Sequence, residues 1–242
     1  MTSDAASIIS RLRSRRAAVY ASGKIVGVDG REFEIWPSGL TEAAGLFLLD
    51  LVLSSKPSRT IETGLAFGLS ASFILEGLLT VHASRGAGAA SPQHTAIDPY
   101  QSRDWGSSGV RLIEESGATP HFRFLESDST LALPSLVEQS ARFDFAFIDG
   151  GRNFEFAFAD IFYIQRMMIP GGTIVVDDVW MTSVRAAVNY FVANLGFTCD
   201  IPESTAPGKR FAILRTPEKP AERKWDHFVP FDHLPVRQEQ PV

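Results

Sequence analysis

The chain has 242 residues, 45% of them hydrophobic and 21% charged, a composition typical of globular proteins large enough to bury a core without disulfides. Lys and Arg total 23 against 28 Asp and Glu, and the net charge of −5 argues against nucleic-acid binding, whose footprint is basic. The single cysteine, Cys199, excludes an internal disulfide framework and a cysteine-cluster metal site.

Residues 5–20 read as an amphipathic helix. Ile8, Ile9 and Leu12 recur at helical spacing, and Arg11, Arg13, Arg15 and Arg16 are expected to form a solvated face. Over 23–36, Asp29-Gly30 lies between short β-prone runs and predicts a hairpin with a tight primed turn. Thr41 then opens an apolar helix running to Leu53, with Glu42 complementing the helix dipole in its first turn. Residues 1–55 therefore form a helical and hairpin extension, expected to act as a lid or as the surface of a homodimer.

From Arg59 onward, strand and helix signals alternate. Strands are predicted at 60–63, 95–97, 122–125, 143–148 and 173–176, and helices at 70–80, 110–116, 131–140, 154–168 and 183–194. The small, polar run 83–93, with Gly86 and Gly88, reads as a surface loop. Late strands at 197–201 and 210–214 look like an antiparallel pair, and Cys199 there reads as a small buried hydrophobe. Residues 56–217 make up the core of what is one structural domain overall. Residues 218–242 form an aromatic, Pro-rich tail with Trp225, Phe228 and Phe231.

The alternation predicts an α/β fold with a doubly wound, mostly parallel sheet covered on both faces. Ligands of such sheets bind beyond the carboxyl ends of the strands, near the switch point. That rule singles out Glu62, Asp98, Asp128, Asp149 and Asp177, acids at or just past five successive strand ends. No apolar run approaches the roughly 20 residues of a membrane span. The N-terminus has no apolar core followed by a small-residue cleavage site, so the expected setting is cytoplasmic, with no membrane partner.

Chemistry concentrates in the segment Ile61-Glu62-Thr63-Gly64-Leu65-Ala66-Phe67-Gly68-Leu69-Ser70. A strand ends, two glycines follow, and a helix begins, so the backbone can turn tightly and approach a ligand. The GLAFG spacing differs from the dinucleotide fingerprint, which leaves an NAD-binding protein a poor reading. Glu-x-Gly-x-x-x-Gly-x-Ser resembles motif I of the class I S-adenosylmethionine (SAM) dependent methyltransferases. Ala96-Ile97-Asp98, Glu126-Ser127-Asp128-Ser129, Phe145-Ala146-Phe147-Ile148-Asp149-Gly150 and Gly171-Gly172-Thr173-Ile174-Val175-Val176-Asp177-Asp178 resemble the later motifs of that family, in order.

The resemblance implies a seven-stranded, Rossmann-like sheet with an antiparallel last strand. It implies that SAM is held by Glu62, Gly64, Gly68 and Ser70 at its methionine end, Asp98 at the ribose, and Ser127 and Asp128 at the adenine. Asp149 would also touch the cofactor, and Tyr100 would stack on the nucleoside. Asp149 with Asp177-Asp178 is similar to the set with which small-molecule O-methyltransferases of the catechol, caffeoyl-CoA and antibiotic-sugar kind hold a divalent cation. Three oxygen donors suit Mg²⁺, which would bind and acidify an acceptor hydroxyl. The expected reaction is methyl transfer to an oxygen of a small-molecule acceptor, with Asp149 and Arg152 catalytic.

Arg152 departs from the pattern, because the family usually carries Lys or His there. Arginine stays protonated in proteins and is a poor base, although it can stabilise an oxyanion. A base could come from His227 or His233 in the tail, while His82, His94 and His121 read as loop residues. Trp105, Trp180 and Met181 either line the site or pack. Two alternatives stay open: a metal-independent N-methyl or other SAM-type transferase, and a catalytically inactive SAM-binding protein.

Overall fold

The computed structural model of the chain describes residues 3–85, 90–202, 211–219 and 222–231. The Gly86/Gly88 loop, Arg210 and His233 lie outside them. The chain opens with α1 (Ser3–Ser22), a hairpin of β1 (Lys24–Val26) and β2 (Glu32–Glu34), and α2 (Glu42–Ser55). Alternation follows: β3 (Arg59–Thr63), α3 (Leu69–Ser84), β4 (Gln93–Ile97), α4 (Ser108–Glu115), β5 (Phe122–Leu125), α5 (Ser129–Glu138) and β6 (Phe143–Ile148). Then come α6 (Phe154–Met167), β7 (Met168–Val176), α7 (Thr182–Leu195), β8 (Thr198–Asp200) and β9 (Ala212–Arg215).

The main sheet runs β5-β4-β3-β6-β7-β9-β8, with β9 antiparallel to both its neighbours and the other pairings parallel. The buried stretches 145–148 of β6 and 174–176 of β7 are apolar on both faces because helices cover both. Phe145, Phe147 and Val175 join residues of α1 to α4 in one core, and Ala146, Ile148, Ile174 and Val176 join α5 to α7 in the other. Chain order reverses between β3 and β6, which places the switch point in the middle of the sheet. No helix among the described residues is long and apolar enough to cross a membrane.

Three local expectations need correction. The arginines of α1 are only in part a solvated face: Arg11 and Arg13 are exposed, but all four are paired to neighbouring elements. Arg16 is buried, pairs with Glu76 of α3 at 2.7 Å, and lies 3.6 Å over the Phe73 ring. Arg13 shares Glu76, Arg15 pairs with Glu115, and Arg11 donates to Ser116 O, because α1 lies across α3 and α4.

The hairpin forms, but its connection is not a two-residue primed turn, which needs positive φ at the first central residue, here Asp29. Only Gly30 of the pair has positive φ, Gly30 N donates to Gly27 O, and the Asp29 carboxylate accepts from Arg31 N at 3.0 Å. Finally, His82 belongs to α3 and His94 is buried in β4, so neither is a loop residue. Cys199 is half-buried, and burial pushes its thiol up to about 11, the state of an inert packed thiol.

Candidate active site

Backbone pairing carries on one step past the parallel strands. Gly64 N donates to Ile97 O at 2.9 Å, Asp98 N to Leu125 O at 3.2 Å, Asp149 N to Thr63 O at 2.9 Å and Asp177 N to Ile148 O at 2.9 Å. This extended ladder sets Asp98, Asp149 and Asp177 in line beyond β4, β6 and β7. A cleft of about 300 Å³ opens there, within the size range of small-molecule sites.

Of the residues singled out in the sequence, Gly64, Ser70, Asp98, Tyr100, Asp128, Asp149 and Arg152 line this cleft. Gly64 must be glycine. Its φ is +87°, and a β-carbon would come within 2.2 Å of Asp149 O, where the ends of β3 and β6 meet. Gly68, at φ +72°, caps the start of α3 behind the wall. Asp98 is buried and latches the glycine turn: its Oδ2 accepts from Leu65 N at 3.1 Å and Ala66 N at 2.8 Å, and its Oδ1 from Tyr100 N at 2.8 Å. Asp128 caps α5, accepting from Thr130 N at 2.8 Å.

Glu62, Ser127, Asp177 and Asp178 do not line the cleft. Glu62 shares its sheet face with Phe145 and Phe147, because it pairs in register with Phe147, and it is wholly buried. His94 Nε2 lies 3.2 Å from its Oε1 without hydrogen-bond alignment, and His94 Nδ1 is 2.8 Å from Thr60 Oγ1. The Ser127 hydroxyl donates to Asp128 O at 3.2 Å.

Other wall residues, Trp105 excepted, carried no sequence signal. Ser38, Gly39 and Leu40, between the hairpin and α2, close one side, and Leu40 O accepts from the Tyr20 hydroxyl at 2.8 Å. Phe67 and Trp105 also line the cleft, edge to face with centroids 4.9 Å apart. The hairpin docks beside them through Val28 N to Gly106 O at 2.7 Å. Trp180, more than half exposed, turns its indole N–H to Asp178 Oδ1 at 2.9 Å. His227 is not among the lining residues.

Asp149, Asp177 and Asp178 do converge, with one carboxylate oxygen of each within 4.8 Å of the others. The hard oxygen donors suit Mg²⁺ by chemistry. Arg152, however, already stands among them. Its Nε donates to Asp178 Oδ2, and its Nη2 lies 3.3 Å from Asp149 Oδ1. Both oxygens of Asp178 thus hold donors, and Asp178 N donates to Asp177 Oδ1 at 2.7 Å. Asp178 takes φ +55° to do this, a conformation Asp tolerates better than most residues. As arranged, the set does not fit a divalent cation. Desolvation alone would lower the Arg152 pKa, but the Asp178 hydrogen bond and the charges of Asp149, Asp178 and Asp177 outweigh it and raise it above its ordinary value.

Residues 61–179 match a family model described as a methyltransferase domain. No curated protein matches the chain by sequence. Several solved structures share the fold. An O-methyltransferase from Bacillus cereus, in complex with S-adenosylhomocysteine (SAH), superposes with a TM-score of 0.65 at 14% identity, covering 86% of this chain and 90% of that one. TomG, an O-methyltransferase from Streptomyces achromogenes involved in tomaymycin synthesis, in complex with SAM, gives 0.59 at 16% identity, covering 85% and 89%. The SAH-bound methyltransferase PaMTH1 from Podospora anserina gives 0.63 at 12% identity, covering 85% and 88%.

Proposed function

Because residues 61–179 match a methyltransferase domain and the chain shares its fold with solved methyltransferases, we propose that it is a class I methyltransferase that transfers a methyl group from SAM to an oxygen of a small-molecule acceptor. The observation that carries this reading is the cleft at the sheet's switch point, which is lined by the glycine turn and three acidic residues, Asp98, Asp128 and Asp149. SAM supplies an electrophilic methyl group on a positively charged sulfur, so the protein's part is to bind, orient and exclude water. An acidic wall suits that charge. O-methyltransferases with SAM or SAH bound among the structural neighbours support the cofactor and the reacting atom.

In this reading, the backbone at Gly64 and the side chain of Ser70 hold the amino-acid end of the cofactor. Asp98 keeps the turn in shape and offers its carboxylate edge to the ribose. Tyr100 and Trp105 flank the base, and Asp128 takes its amino group. Glu62, Gly68 and Ser127 lie behind the wall and are assigned no contact with the cofactor. Asp149 and Arg152 meet the acceptor, in a wall that also holds Leu40 and Phe156. We assign no Mg²⁺ to the site, because Asp178 has both oxygens engaged.

Calorimetric titration with SAH tests the reading. The wild type is expected to bind in the micromolar range, and Asp98→Ala to bind at least about tenfold more weakly, since the turn loses a latch of two or more hydrogen bonds. A folded wild type that does not bind SAH would remove the methyltransferase assignment.

A further inference from the structure

Resting on the methyltransferase reading above, we propose that the Arg152 guanidinium is the resident cation of the Asp149/Asp177/Asp178 cluster, and that it holds the acceptor oxygen without a divalent metal. The first support is occupancy. Mg²⁺ bound by these acids needs their oxygens at 2.0–2.1 Å in octahedral array. Here Asp178 gives one oxygen to Arg152 Nε and the other to Trp180 Nε1, and Arg152 Nη2 reaches to Asp149. Ser183 Oγ donates to Arg152 O at 2.7 Å, which fixes the backbone that carries the guanidinium.

The second support is placement. Asp177 and Asp178 are buried, at 3% and 5% exposure, and do not line the cleft, whereas Arg152 and Asp149 do. An acceptor in the cleft therefore meets the guanidinium before it meets the acid pair. Arginine presents five N–H donors in a rigid fork. Two point to carboxylates, and others remain for an oxygen of the acceptor.

Charge then selects the acceptor. Three carboxylates against one guanidinium leave this end of the cleft negative, so it takes a neutral hydroxyl rather than a carboxylate. The hydroxyl accepts a hydrogen bond from Arg152 and donates one to Asp149. As the acceptor oxygen forms its bond to the methyl carbon, the carbon–sulfur bond breaks and its electron pair stays on sulfur. The hydroxyl proton passes to the Asp149 carboxylate and then to solvent. Charge balances without a further co-reactant.

Mn²⁺ binding, followed by electron paramagnetic resonance on full-length protein loaded with SAH, tests the proposal. Wild type is expected to bind Mn²⁺ at the cluster only weakly. Arg152→Met empties the guanidinium's place and is expected to bind one Mn²⁺ at least about tenfold more tightly than wild type, since affinity follows ligand charge and availability. Adding Asp178→Asn to that variant is expected to abolish the gain. Tight Mn²⁺ binding by wild type overturns the proposal, and so does failure of a folded, SAH-binding Arg152→Met chain to bind it. The wild-type arm decides even where the variant does not fold. Absence of SAH binding in wild type would instead count against the methyltransferase reading.

Discussion

Asp160 sits in the buried stripe of α6 with Ala157, Ile161 and Ile164, beneath the loop that carries Asp149. The side chains of Thr63 and Ser129 lie beside its carboxylate, neither in a hydrogen bond of good geometry, and burial raises its pKa from 3.8 to about 6. Over that window the folded chain keeps a proton that the unfolded chain has released. Stability from this residue is therefore complete below the window, falls as pH rises through it, and stays reduced above it, by about 3 kcal/mol at most. Asp160→Asn is expected to flatten the slope and to exceed wild type in stability at pH 7.5. Denaturant midpoints for both chains across pH 4 to 8 check this, and parallel pH curves would refute it. An acid at a core position of an apolar helix was visible in the sequence, but the strand-end rule drew attention elsewhere. The Arg152–Asp178 pair had no such signal, since it joins two loops 26 residues apart.

At the scale of elements, one buried carboxylate joins α1 to α3 beside their shared apolar core. Glu76 is 2% exposed and serves both Arg16, itself 8% exposed, and the open Arg13. Removing one partner of a buried pair strands the other charge, so Glu76→Ala is expected to destabilise the chain by about 3–5 kcal/mol, read from chemical denaturation. Arg13→Ala should cost under about 1 kcal/mol, because that arm of the pair is solvated. The strands and helices from Arg59 onward were legible because their periods switch between apolar runs and helical stripes, with turn residues between. The fate of the α1 arginines was not, because Glu76 and Glu115 meet them only after α3 and α4 are placed by the sheet. Glu62 shows the same limit. Its position near a strand end was correct, but period-two alternation turns its side chain to the Phe147 face, away from the cleft.

Across the whole molecule, the site is assembled from the N-terminal extension and the sheet. The sheet supplies the acids, the glycine turn supplies backbone, and the N-terminal extension supplies Ser38 to Leu40. The extension expected to act as a lid or dimer surface thus reaches the cleft from a segment tied to α1 by the Tyr20–Leu40 hydrogen bond. Burial pushes that Tyr20 hydroxyl far above its ordinary range, so it donates throughout the pH range of the fold. Anything bound only by the native cleft stabilises every element that walls it, by about 2.7 kcal/mol at a hundredfold excess over Kd. Local opening of the extension then becomes rarer as the cleft fills. Trypsin cleavage at Lys24 and Arg31 is expected to slow several-fold when SAH is present, with cleavage after Arg223 and Lys224 unchanged; equal rates would separate the extension from the site. The rate at which a protease trims the N-terminus would then serve as a gauge of how much of the protein carries its cofactor.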